Sequence, residues 1–157
     1  MTREREEILA RLRAPRALAG QRIPDEFVLP NYAGYGLANV APTVMSHFGL
    51  SAGPTTPLSE EIVGRTLKGS CKLVILLVDA LGYLAVEEQM ARDPRLGLSA
   101  LAEKGIFSPL TSVFPSTTAV ALTTLHTGLD PVSHGITGYR MYLPDREIVA
   151  NMIHLRS

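Results

Sequence analysis

Apolar residues fall along the chain in three textures. From Arg3 to Ala14 they are sparse: Ile8, Leu9 and Leu12 stand among charges, at a spacing that lays one narrow apolar stripe along a helix that Pro15 would end. From Ile23 to Lys68 the prolines Pro24, Pro30, Pro42, Pro54 and Pro57 punctuate the pattern, leaving one short apolar helix, Pro42 to Phe48, closed by Gly49. From Lys72 the texture changes again. Leu73-Val74-Ile75-Leu76-Leu77-Val78 is an unbroken apolar run ending at Asp79, the signature of a parallel strand covered on both faces.

Beyond that strand the pattern alternates. Tyr83 to Arg92 has helical composition, Leu98 to Lys104 continues it, and Gly105 stops it. Ile106 to Phe114 reads as a second strand. Ser116 to Thr127 reads as a helix approached through Phe114-Pro115, with Gly128 at its end and Pro131 just beyond. Glu147 to Ile153 is a final β-like stretch. Strand, helix, strand, helix, strand in this order predicts an α/β fold with a mostly parallel sheet and helices on both faces, a three-layer α/β/α arrangement. The chain divides accordingly into an amphipathic helical segment (1–20), a proline-rich lead-in with one short helix (21–68) and the α/β domain (69–157).

Composition narrows the function more than the fold. Fifteen Lys and Arg residues balance fifteen Asp and Glu residues, so the long-range field of a nucleic-acid or anionic-membrane binder is absent. Arg3, Arg5, Arg11, Arg13 and Arg16 cluster near the start, but Glu4, Glu6 and Glu7 interleave with them, as on a solvated helix face. The opening residues are charged with both signs and lead into no signal-type apolar region, and the longest apolar run is far short of the roughly 20 residues of a membrane span. A soluble, cytoplasmic protein is expected. Cys71 has neither a second cysteine nor a ligand pattern around it, and reads as a small core residue where a strand begins. Gly34-Tyr35-Gly36 lacks the strand and the third glycine of a nucleotide-binding loop.

Two positions suit chemistry. In open parallel sheets, reacting groups collect where strands end and helices begin. Asp79 closes the apolar run and is followed by Ala80-Leu81-Gly82, a tight exit; its alternative role is that of a strand-end cap. The turn Phe114-Pro115-Ser116-Thr117-Thr118 groups hydroxyls at a helix start. Such hydroxyls are usually caps, yet the same place suits a nucleophile that attacks phosphorus, because free amides stabilise the phosphoryl oxygens.

These segments, taken with Thr127-Gly128-Leu129-Asp130-Pro131-Val132-Ser133-His134-Gly135-Ile136, resemble the type I phosphodiesterase/nucleotide pyrophosphatase branch of the alkaline phosphatase superfamily. The resemblance covers about residues 70 to 140, and Asn31-Tyr32-Ala33-Gly34-Tyr35-Gly36 to Pro42-Thr43 resembles the lead-in of bacterial members. It implies a metal-dependent hydrolase of phosphoester small molecules, with Thr118 as nucleophile and metal ligand, Thr117 as the near alternative, and Asp79 as a metal ligand. It implies two zinc or similar divalent ions that polarise phosphoryl oxygens and activate first the threonine and then water. His134 falls on a structural histidine of the family. His47, His126 and His154 match no ligand motif.

Two departures shape the expectation. Tyr139 stands where nucleotide pyrophosphatases carry an asparagine that holds a phosphoryl oxygen. The family's remaining metal ligands lie in segments this sequence does not reach, so the fold is expected to be incomplete relative to the full family fold and metal binding weak or partial. An exposed sheet edge would then favour self-association or pairing with a complementary C-terminal chain. Of the rivals, a serine hydrolase built on Ser116, His134 and Asp79 lacks the nucleophile elbow. A sulfatase lacks its motif around Cys71 and Ser112. A non-catalytic assembly module is the alternative from another class.

Overall fold

Ile8 and Leu12 lie four residues apart, so a helix stacks them on one face, and that face is what α1 (Arg3–Arg13) buries. The computed structural model describes residues 3–14, 17–18, 20–24, 26–64 and 66–154; the expected stop at Pro15 and the Arg16 position lie outside them. Ile8 and Leu12 form a small core with Ile62, against which Tyr35, Leu58 and Leu110 pack. The arginines of α1 are more engaged than a solvated face requires. Arg3 pairs with Glu7 in solvent, but Arg11 reaches the Tyr35 hydroxyl (2.6 Å) and Glu61 (3.2 Å). Arg5 lies over the Phe107 ring, 3.6 Å from Glu87, with its side chain only 16% exposed. After α1, β1 (Ala17–Leu18) pairs antiparallel with β2 (Gln21–Arg22).

The lead-in is a folded strap. A 3₁₀ turn, Leu37–Asn39, runs into α2 (Val40–His47), which starts ahead of the expected Pro42. Proline fits there because the first four amides of a helix have no intrahelical partner to lose. Asn39 is fully buried. Its Oδ1 accepts from Gly36 N (2.9 Å), while Nδ2 donates to the carbonyls of Tyr32 (2.7 Å) and Thr56 (2.8 Å). Thr43 extends the network, donating to the Asn39 carbonyl and accepting from Leu58 N. A short helix, α3 (Glu60–Val63), follows, capped by Ser59 and presenting Ile62 to α1.

The parallel sheet expected from the apolar run is not formed among the described residues. Leu73 to Val78 has no regular structure and no ladder partner there, with Val74 93% and Leu76 86% exposed. Cys71, expected at the buried start of that strand, is likewise exposed. A central parallel strand needs a neighbour on each edge, and its apolar composition cannot provide one. The second expected strand pairs elsewhere: Thr111 forms a parallel bridge with Gly36, through Thr111 N to Tyr35 O (2.9 Å) and Leu37 N to Thr111 O (3.0 Å). The third, β4 (Ile148–Asn151), joins an antiparallel hairpin with β3 (Arg140–Leu143). Only residues 144–147 connect them, and a parallel crossover needs a dozen or more. The architecture is therefore mixed α/β with small antiparallel pairs.

The helices follow the sequence more closely. They are α4 (Tyr83–Arg92), α5 (Gly97–Lys104), α6 (Thr118–Thr127) and α7 (Pro131–His134). Ala119, Val120 and Thr124 bury one side of α6. Gly128 ends the helix at φ 69°, and a Cβ there would meet Pro42 Cδ at 3.1 Å, so α2 crosses closely over this turn.

Candidate active site

Asp79 stands where the apolar run ends and the chain turns sharply, Ala80 adopting a positive φ of 59°. One carboxylate oxygen, Oδ1, accepts from the amide of Ala80 (2.9 Å). The other, Oδ2, accepts from Thr118 Oγ1 at 3.2 Å, across 39 residues of sequence. Two residues selected from separate element ends are thus brought together. Thr118 is the first residue of α6, preceded by the turn that begins with the cis peptide Phe114-Pro115.

The helix start here is uncapped. Thr117 has the extended backbone of an N-cap residue, but its side chain makes no cap hydrogen bond, and its Oγ1 is buried without a partner. The first amides of α6 are therefore not taken up by a side-chain cap, and they sit beside the Thr118 hydroxyl at the positive end of a ten-residue helix. A cavity of about 530 Å³ opens at this point. Asp79, Ser116, Thr117 and Thr118 give it a polar wall, and Leu37, Leu77, Leu81, Leu110 and Leu122 an apolar one.

His134 serves another purpose. Its Nδ1 accepts from Ile136 N (3.0 Å), which assigns the proton of the neutral ring to Nε2, where it is donated to Thr124 Oγ1 (3.0 Å). Burial holds its pKa below the ordinary histidine value of 6.5, partly opposed by the charge of Asp130. Both ring nitrogens are engaged, and His134 does not line the cavity. Ser116, His134 and Asp79 therefore make no relay. Of the other histidines, His47 is bonded to the Ser70 carbonyl (2.7 Å), while His126 and His154 are exposed.

Sequence reasoning missed the residues behind the site. Thr111 Oγ1 accepts from Asn31 N (2.8 Å), and Tyr32 Oη accepts from Phe114 N (3.3 Å), so the strap 31–37 grips the segment that leads to Thr118. An asparagine three residues before Pro42 could have been read as a helix start, which Asn39 is, but nothing local announces that its side chain turns back to Gly36.

A family model described as type I phosphodiesterase / nucleotide pyrophosphatase matches residues 73–154, more than half of the chain. The chain belongs to that family. Neither curated proteins nor solved structures gave a match. The match takes in Asp79, Thr118 and His134, while α1 and the Asn39 strap lie outside it. The type I phosphodiesterases are hydrolases of phosphoester bonds, so the chain is phosphodiesterase-like by descent.

The donor set at the site falls short of a metal centre. Asp79 and Thr118 offer two oxygens, whereas a zinc ion takes four ligands. Among the described residues no group of three or more His, Cys, Asp or Glu side chains is placed to hold an ion. Nor is any of the described helices long and apolar enough to cross a membrane.

Proposed function

We propose that the chain carries the nucleophile half of a phosphoester-hydrolase site, in which Thr118 attacks phosphorus and Asp79 orients its hydroxyl and serves as a metal ligand. The observation that carries this reading is the hydrogen bond from Thr118 Oγ1 to Asp79 Oδ2, at the uncapped start of α6 and the wall of a cavity. Oγ1 bonds to phosphorus as the ester P–O bond breaks; its proton leaves toward Asp79 Oδ2, and the leaving alkoxide departs into the open cavity and takes a proton from water. The amides of the helix start face the negative charge that builds on the phosphoryl oxygens. Water then hydrolyses the phosphothreonine. A divalent ion would be held by Asp79 and Thr118 only with further ligands, and would then supply Lewis-acid polarisation of those oxygens. In this reading the remaining strands complete a parallel, three-layer sheet around Leu73–Val78, and the protein works in the cytoplasm on small phosphoesters.

The test is hydrolysis of bis-p-nitrophenyl phosphate with added zinc. Wild type, with only two of the ligand oxygens a metal needs, is expected to turn over slowly, and Thr118→Ala to lose on the order of a hundredfold or more of that kcat. Equal rates in the two proteins remove Thr118 as nucleophile. Asp79→Asn is expected to weaken zinc binding in titration calorimetry at least tenfold.

A second reading is favoured by the exposure of Val74 and Leu76. As an assembly module, the chain pairs its apolar run with a second copy or with a complementary chain. Light scattering at rising concentration separates this reading from the first: a clean monomer counts against it.

A further inference from the structure

We infer that Tyr32 is a positioning residue for the proposed nucleophile, pinning the turn Phe114–Thr118 through the Phe114 amide; this rests on the role proposed for Thr118. The turn has few anchors of its own. Val113 before it and Ala119 and Val120 after it are buried, but the Phe114 side chain is 73% exposed and holds nothing in place. Between those anchors, Tyr32 Oη accepts the Phe114 N–H at 3.3 Å, across 82 residues of sequence.

Tyr32 is itself held from two sides. Its carbonyl accepts from buried Asn39 Nδ2 (2.7 Å), and the preceding Asn31 amide donates to Thr111 Oγ1 (2.8 Å), three residues upstream of Phe114. The strap is therefore tied at both Thr111 and Phe114, and the backbone that carries Thr118 inherits its position from Asn39. Burial raises the pKa of the Tyr32 phenol above its ordinary value, which keeps the hydroxyl neutral. Without the Tyr32 hydroxyl, Phe114 N–H loses this acceptor and the turn is free to shift. The contact at stake is the 3.2 Å bond between Thr118 and Asp79.

Tyr32→Phe deletes the acceptor while keeping the ring. Tyr35→Phe is the control, since the Tyr35 hydroxyl bonds to Arg11 and Ser59 rather than to the turn. In the full chain, amide exchange and threonine-methyl NMR should show Phe114 N–H exchanging about tenfold faster in Tyr32→Phe, with the Thr118 methyl resonance shifted and the amides of β3 and β4 unchanged. Tyr35→Phe should leave Phe114 and Thr118 where they were. In the zinc-supplemented assay, kcat of Tyr32→Phe should fall about tenfold with KM within about twofold. An unmoved Thr118 resonance overturns the inference, as does faster exchange throughout the chain, which marks a general loss of stability, or an unchanged kcat. If wild type shows no hydrolysis, the proposed function fails, while the exchange and methyl signals still decide whether Tyr32 sets the turn.

Discussion

Thr124 is fully buried in α6, and the atom that satisfies its hydroxyl is Nε2 of His134. A buried hydroxyl deprived of its partner costs about 1–3 kcal/mol, so His134→Ala should lose roughly that much in urea unfolding, beyond the effect on its own turn. Burial of the His134 ring gives the fold a pH dependence. The folded state favours the neutral ring, whose pKa lies below 6.5. As pH falls through 6.5 the unfolded chain binds the proton first, so stability is complete above that value and declines below it. Asp130 acts in a separate window. Its carboxylate accepts from Ser133 N (2.8 Å), which holds its pKa below 3.8, so its contribution persists until pH drops through that value. Unfolding midpoints measured from pH 7.5 to 5 should fall in wild type, and the His134→Ala profile should be flatter there. His134 stands out in the sequence as part of a turn, but Thr124 does not, because a threonine inside an apolar helix gives no sign of where its hydroxyl goes.

At the scale of elements, what could be read in advance depended on whether the cause was local. The α4, α5 and α6 helices follow from periodicity, glycine stops and the Phe114-Pro115 approach, all within a few residues. Asp79 stands out where the apolar run meets a turn, whereas Thr118 is singled out from Ser116 and Thr117 by the family resemblance; the fold sets the two 3.2 Å apart. The strap had no such signal. Its order comes from Asn39 bonding to carbonyls 7 and 17 residues away, which leaves no period in the sequence. Gly36 marks the tightest point of that strap: a Cβ there would lie 2.6 Å from the Asn31 carbonyl oxygen and 3.1 Å from Thr111 Oγ1. The clash is with backbone, which cannot swing aside as a side chain can. Gly36→Ala should therefore destabilise by about 1–3 kcal/mol, read as a lowered thermal midpoint, and should perturb Thr111 amide exchange together with that of Leu37.

Across the whole molecule, one conflict stands out. The sequence spends its most apolar run on residues 73–78, and among the described residues that run has no strand partner, with Val74, Ile75, Leu76, Leu77 and Val78 all exposed. A period-free apolar run is written for burial on both faces; among the described residues neither edge meets a strand, and the face of Val74 and Leu76 lies open while Leu73, Ile75 and Leu77 are only partly covered. Among the described residues the expected parallel sheet is not formed, although the run reads clearly as a strand in sequence. An apolar segment with no ladder partner among the described residues is also a template for another strand, so association is the behaviour to test. Replacing Val74 and Leu76 with lysine tests this directly. Both side chains lie almost wholly in solvent, at 93% and 86% exposure, so the double variant should change the free energy of unfolding by less than about 0.5 kcal/mol per site. Light scattering should show wild type gaining mass with concentration and the lysine variant holding the monomer mass of 17.0 kDa. A variant that unfolds instead would mean that these two side chains are covered in solution, and that the apolar run has found its partner strands.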